Sequence, residues 1–251
     1  MAVLKANGSI LKANGKVLVK SGKGVFYKTD FSNFDEQTKI DYPQIGDITS
    51  YAGISTIDFL KETIDGKTWL YLKTKGPFSQ VGTNGIYIDV SSSDFDLFCF
   101  EIWFELLNIN NQSQGNFYLW FPKFNDGYVY DTYFNYNNPG ANGFACQTNH
   151  NDVELYNGTM FSSIGSSYTK FSRNINKEKV NFAAVFDRNE NKCYQYLDGN
   201  LCVLDKNVTV NLFRMWPHNN SYGIDARITN ILLTTKDKRK NGGMNYDFEP
   251  L

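Results

Sequence analysis

Residues 180–204 read Val180-Asn-Phe-Ala-Ala-Val-Phe-Asp-Arg-Asn-Glu-Asn-Lys-Cys-Tyr-Gln-Tyr-Leu-Asp-Gly-Asn-Leu-Cys-Val-Leu204. Three short runs rich in β-branched and aromatic residues are separated by two turn signals, Asp187-Arg-Asn-Glu-Asn191 and Asp198-Gly-Asn200. Asp-Gly between two β-formers predicts a tight hairpin, because its left-handed backbone matches the twist of the strands it joins. The stretch therefore predicts a three-stranded antiparallel meander.

The surrounding grammar repeats this pattern. Strands are predicted over Thr68–Thr74, Gly85–Val90, Phe95–Leu107, Phe117–Phe121, Gly127–Phe134, Gly143–Gln147, Val153–Tyr156 and Ala226–Thr235, at turn-separated spacing. Amphipathic stretches of helical length are absent. Twenty Phe and sixteen Tyr raise aromatic content to 16%, which favours a pleated, half-buried surface. With 251 residues, 41% hydrophobic and 20% charged, the chain is long enough for a full globular core. About a dozen short strands predict an all-β sandwich or barrel.

The meander, the alternating Phe98-Cys-Phe-Glu-Ile-Trp-Phe104 and the run Asp225-Ala-Arg-Ile-Thr-Asn-Ile-Leu-Leu233 together resemble concanavalin A-like and laminin-G-like jelly rolls. The resemblance covers roughly residues 50–240. It implies a two-sheet sandwich with Phe98–Phe104 in a central strand, Asp225–Leu233 in a closing strand near the edge, and a wall that often binds sugar.

The N-terminus is a repeat of period seven. Leu4-Lys-Ala-Asn-Gly-Ser-Ile10 and Leu11-Lys-Ala-Asn-Gly-Lys-Val17 align with the weaker Leu18-Val-Lys-Ser-Gly-Lys-Gly24. Asn7-Gly8 and Asn14-Gly15 predict hairpin turns, with Ser21-Gly22 a third. A heptad helix is disfavoured, since a glycine in every period costs about 1 kcal/mol. Residues 1–28 carry six lysines and no acid; against a net charge of -1 this leaves -7 in the remainder. The lysines either keep an edge-rich ribbon soluble or dock it on an acidic partner. The Lys-Ala-Asn-Gly repeats resemble the short N-terminal repeats of head and tail fibre proteins of bacteriophages that infect gut bacteria. That resemblance implies a virion appendage, built in the cytoplasm of a bacterial host. The expected division is an anchoring arm over residues 1–24, a connector over 25–50 and a jelly-roll domain over 51–251.

Function classes narrow further. The near-neutral net charge argues against a nucleic-acid or membrane-surface binder. No leader-like segment opens the sequence, and no apolar run approaches the ~20 residues of a membrane helix. Cys99, Cys146, Cys193 and Cys202 show no Cys-x-x-Cys spacing, and only His150 and His218 could join them as metal ligands, so no zinc site is expected. With a two-residue turn at Asp198-Gly199, Cys202 should face Gln195, leaving Cys193 a diagonal step away. All four are expected as thiols. Asp126, Asp131 and Asp152 form no Asp-x-Asp-x-Asp loop, so no calcium site and no cofactor is expected.

Two constellations remain. Glu101-Ile-Trp-Phe-Glu105 resembles the Glu-x-Asp-x-Glu strand of laminarinase-type β-glucanases, with both glutamates on one face. Trp103 stands where that family has its tuning Asp, which weakens the match. The competing reading is a strand with Phe98, Phe100, Ile102 and Phe104 inward and Glu101, Trp103 and Glu105 outward. The second constellation is aromatic: Trp120, Tyr128 and Tyr130 in an Asn-rich segment, and Trp216, His218 and Tyr222 in a predicted loop. Such rings stack on pyranose faces while neighbouring amides bond hydroxyls; core packing or a trimer interface is the alternative.

The reading that unites these features is a non-enzymatic virion protein. Its arm docks on other virion proteins, it assembles as a homotrimer, and its sandwich faces outward for a cell-surface glycan, contacted through the aromatic residues, or for another fibre subunit. The alternatives are a glycoside hydrolase using Glu101 and Glu105, and a decoration protein without a ligand.

Overall fold

The computed structural model describes residues 5–6, 9–10, 12–13, 16–17, 25–33, 57–74, 86–89, 96–107, 115–120, 143–148, 159–164, 167–171, 175, 177–206, 212–218 and 225–251. The short strands flanking both predicted Asn-Gly turns are paired, and the turn residues themselves lie outside the described residues. β1 (Lys5–Ala6) pairs with β2 (Ser9–Ile10) around Asn7-Gly8, and β3 (Lys12–Ala13) pairs with β4 (Lys16–Val17) around Asn14-Gly15. The Ser21-Gly22 turn lies outside the described residues.

The remaining strands run in chain order as follows. β5 is Val25–Thr29, β6 Ile57–Ile64, β7 Lys67–Thr74, β8 Ile86–Asp89 and β9 Leu97–Leu107. β10 is Gly115–Trp120, β11 Gly143–Thr148, β12 Thr159–Ile164, β13 Ser167–Phe171 and β14 Lys179–Asp187. β15 is Lys192–Leu197, β16 Asn200–Lys206, β17 Leu212–His218 and β18 Asp225–Thr234, followed by β19 (Arg239–Lys240) and β20 (Asn245–Tyr246). A six-stranded sheet has the order β13-β12-β11-β10-β17-β8. A ten-stranded sheet has the order β19-β20-β16-β15-β14-β9-β18-β7-β6, with β5 also paired to β18. The described strands form two antiparallel sheets packed face to face, the all-β sandwich expected of a jelly roll.

β9 shows why the two sheets meet. Phe98, Phe100, Ile102, Phe104 and Leu106 alternate along one face and are all buried. The ring of Phe104 stacks on Phe117 of β10 at 5.8 Å, which fixes the inner faces of both sheets. Phe182 and Phe186 of β14 sit opposite Ile102 and Phe98 and extend the same layer. Each such side chain contributes about 1.5–3 kcal/mol by leaving water.

The β15–β16 turn forms as the Asp-Gly signal requires, with φ 48° at Asp198 and 77° at Gly199. Its register differs from the expected one. Tyr196 pairs with Leu201 but Gln195 pairs with Val203, so Cys202 is the extra residue of a β-bulge. Cys193 faces Asp205, and Cys99, Cys193 and Cys202 are thiols rather than disulfide halves.

Other expectations are corrected. β5 lies inside the predicted connector and pairs with β18, so the sandwich takes a strand from it. β18 lies between β9 and β7 rather than near an edge, because β6, β7 and β5 add outside it. The strands predicted over Gly127–Phe134 and Val153–Tyr156 lie outside the described residues.

After β18 the chain covers the outer face of the ten-stranded sheet. Asn245 of β20 pairs with Asn200 of β16, and the tail returns across β9, where Trp103 Nε1 donates to Glu249 O at 2.9 Å. Tyr194, Tyr196 and Tyr246 pack with Cys99 and Ala183 into a second, smaller core on this face, with Phe248 against it.

Candidate functional site

Period-two geometry carries the inner face across the six-stranded sheet. Phe117 and Leu119 are fully buried, so Asn116, Tyr118 and Trp120 occupy the opposite face of β10. The ladder then extends that face to β17, where Asn116 pairs with His218, Tyr118 with Trp216 and Trp120 with Arg214. On the other side Trp120 pairs with Gly143, Tyr118 with Ala145 and Asn116 with Gln147. The inner positions are apolar by the same register, as Phe117 pairs with Pro217 and Leu119 with Met215.

Trp216 and His218 are therefore strand residues and not part of a loop. The alternation Leu212-Phe-Arg-Met-Trp-Pro-His218 holds the strand signal, but Pro217 reads as a breaker. Among the described residues β8 pairs with β17 from Leu212 to Met215 and β10 from Arg214 to His218, so Pro217 stands within the strand. Two aromatic clusters that the sequence separates become neighbours. Trp120 and Trp216 are diagonal across β10 and β17, on the order of 7–8 Å apart at Cα. Tyr118, Asn116 and Arg214 join them, three residues that sequence reading missed. Tyr128, Tyr130 and Tyr222 lie outside the described residues.

Glu101 and Glu105 belong to the other sheet. Both point away from the inter-sheet core, as the sequence predicts, yet neither is open to solvent: Glu101 is 0% exposed and Glu105 8%. Glu101 Oε2 accepts from Lys238 Nζ at 2.8 Å, and Oε1 accepts from the backbone N–H of Glu249 at 2.8 Å. Glu105 Oε2 accepts from Arg227 Nη1 at 3.3 Å, and Arg227 also binds Glu62 at 2.6 Å. Burial works against the charge of Arg227, but the Glu62 and Glu105 carboxylates outweigh it and raise its pKa. Four residues of extended strand separate the two glutamates by about 13 Å at Cα. Each carboxylate is engaged by its own cation rather than by a shared site.

Beside this network Tyr71 donates to Asp225 Oδ2 at 2.7 Å; burial first, then the carboxylate, pushes the phenol's pKa up. Among the described residues no group of three His, Cys, Asp or Glu is arranged to hold a metal ion. Among them, too, no helix is long and apolar enough to cross a membrane.

No protein-family model matches the chain, and no curated protein matches it. Solved structures do. The metal-free carbohydrate recognition domain of Emp46p aligns over 83% of this chain and 95% of its own, with 13% identity and a TM-score of 0.45. A conserved carbohydrate esterase of the Shiga toxin-encoding bacteriophage phi24B aligns over 86% of this chain and 100% of its own, with 10% identity and a TM-score of 0.49. The β-glucanase of Bacillus licheniformis aligns over 87% and 100%, with 12% identity and a TM-score of 0.45. At these identities and scores the likenesses assign no residue and no activity.

Proposed function

We propose that the chain is a non-enzymatic glycan-binding protein whose binding surface is the outer face of the six-stranded sheet. One observation carries this reading: the β10–β17 register brings the positions of Tyr118, Trp120, Trp216, His218 and Asn116 together on the face opposite the buried Phe117 and Leu119. Flat aromatic residues beside amides suit a pyranose, whose faces are apolar and whose rim is hydroxylated. The engagement of Glu101 by Lys238 and of Glu105 by Arg227 supports binding without hydrolysis, since a glycosidase needs one carboxyl free to protonate and another free to attack.

The setting we propose is a bacteriophage virion, with the arm as the anchor and the sandwich turned outward to a host-surface glycan. Tandem hairpins too small to hold a core, carrying the lysines of residues 1–28, suit docking on an acidic particle surface. A homotrimer would close such arms against each other.

The test pairs retention on host cells with a reducing-sugar assay on β-glucan. Retention without sugar release is expected. Release that disappears in Glu101→Gln would establish the hydrolase instead.

A further inference from the structure

We propose that the glycan bound on this face carries a carboxylate and that Arg214 reads it. This assignment rests on the glycan-binding reading above. Arg214 pairs with Tyr87 on β8 and with Trp120 on β10, so one row of the sheet runs Tyr87, Arg214, Trp120. Period two keeps the row on the outer face together with Trp216. An arginine between two aromatic positions has the chemistry of a carboxylate reader. Its planar guanidinium stacks on rings and offers a fork of donors that matches a carboxylate in two parallel hydrogen bonds. Neighbouring strands lie about 4.8 Å apart, so a pyranose stacked on Trp120 has its exocyclic substituents within reach of the Arg214 position.

The charge around the row agrees. Residues 29–251 carry -7 overall, yet this face bears Arg214, His218 and Lys170, the last opposite Phe161 in the row of Tyr118. Among the described residues of the sheet the acid at an outer-face position is Asp89, which pairs with Leu212 and so sits diagonal to Arg214. An arginine has five donors, more than one carboxylate engages, so Asp89 as a neighbour still leaves donors for a ligand. A nucleic acid would also stack on aromatics. It is disfavoured because binding to phosphate backbone draws on an extended cationic surface, and this domain is net acidic.

The experiment is calorimetric titration of the full chain with matched pairs, sialyllactose against lactose and trigalacturonate against galactotriose, backed by a broad glycan array. The acidic member of at least one pair should bind about tenfold tighter. Arg214→Gln should bring it down to the level of its neutral partner. Should that variant fail to fold, raising NaCl from about 50 to about 500 mM on the unaltered protein should weaken the acidic sugar far more than the neutral one. Neutral members that bind as tightly as acidic ones, or array hits confined to neutral glycans, would overturn the carboxylate and leave glycan binding standing. No hit anywhere on the array would overturn both. Tighter binding of oligothymidylate than of either acidic sugar would replace the glycan with nucleic acid.

Discussion

Lys238 reaches over the outer face of the ten-stranded sheet to place its ammonium 2.8 Å from the carboxylate of Glu101, with the lysine 8% and the glutamate 0% exposed at their side chains. The same ammonium binds Glu249 at 3.0 Å and lies 5.5 Å from the centre of the Tyr246 ring. One cation thus holds the C-terminal segment to the central strand.

Removing that cation leaves a buried carboxylate without its counter-charge. Lys238→Ala should cost about 3–5 kcal/mol, read as a lower urea midpoint at unchanged slope. Replacing both partners with apolar residues, Glu101→Leu with Lys238→Met, should regain most of the loss. A Lys238→Ala protein as stable as the parent would show that the tail is not anchored here.

Acid should loosen the same anchor. The hydrogen bond from Lys238 is the main cause holding the Glu249 carboxyl below its ordinary value of 4.5; burial opposes it and Lys28 adds to it. A depressed folded pKa means that the contribution is complete above the unfolded value and is lost as pH falls through the folded one. The melting temperature of Glu249→Gln should lie slightly below the parent's at neutral pH, and the gap should close at acid pH. A gap independent of pH would contradict this. The effect is small because Glu249 is 36% exposed and screened.

The thiols should differ in reactivity. Burial first of all pushes the Cys99 pKa up to about 12, and its Sγ donates to the carbonyl of Lys236 at 3.4 Å. Cys202, the bulge residue, is partly exposed. In the native protein Cys202 should be labelled well before Cys99. After denaturation without reductant all four cysteines should titrate. Two or none would show that disulfides form.

The arm predicts an assembly phenotype. Deleting residues 1–24 should leave the melting transition of the sandwich intact and abolish incorporation into particles. A truncated chain that incorporates normally would remove the arm from assembly.

Legibility followed locality. Asp198-Gly199 specifies a turn by its own backbone preference and forms one, and the strands flanking Asn7-Gly8 and Asn14-Gly15 are paired as the same signal predicts. The alternation of Phe98 to Phe104 likewise marks a buried central strand. The bulge at Cys202 was not legible, because no side chain in that run demands it. Nor was the tail over Glu101, since Lys238 and Glu249 find that residue through a contact set only by the folded chain. Trp120 and Trp216 could be named as candidates from their residue type. Their adjacency could not, because it depends on β17 inserting between β10 and β8, a long-range pairing with no local signature.

Glycan binding by the outer face is tested most directly on a glycan array, comparing the parent with Trp120→Ala and Trp216→Ala. Each substitution should lower binding about tenfold or more, the loss expected when a stacking ring worth ~1.4 kcal/mol is removed, at an unchanged melting temperature. Undiminished binding by both variants, or a parent protein that binds no glycan at all, would contradict it.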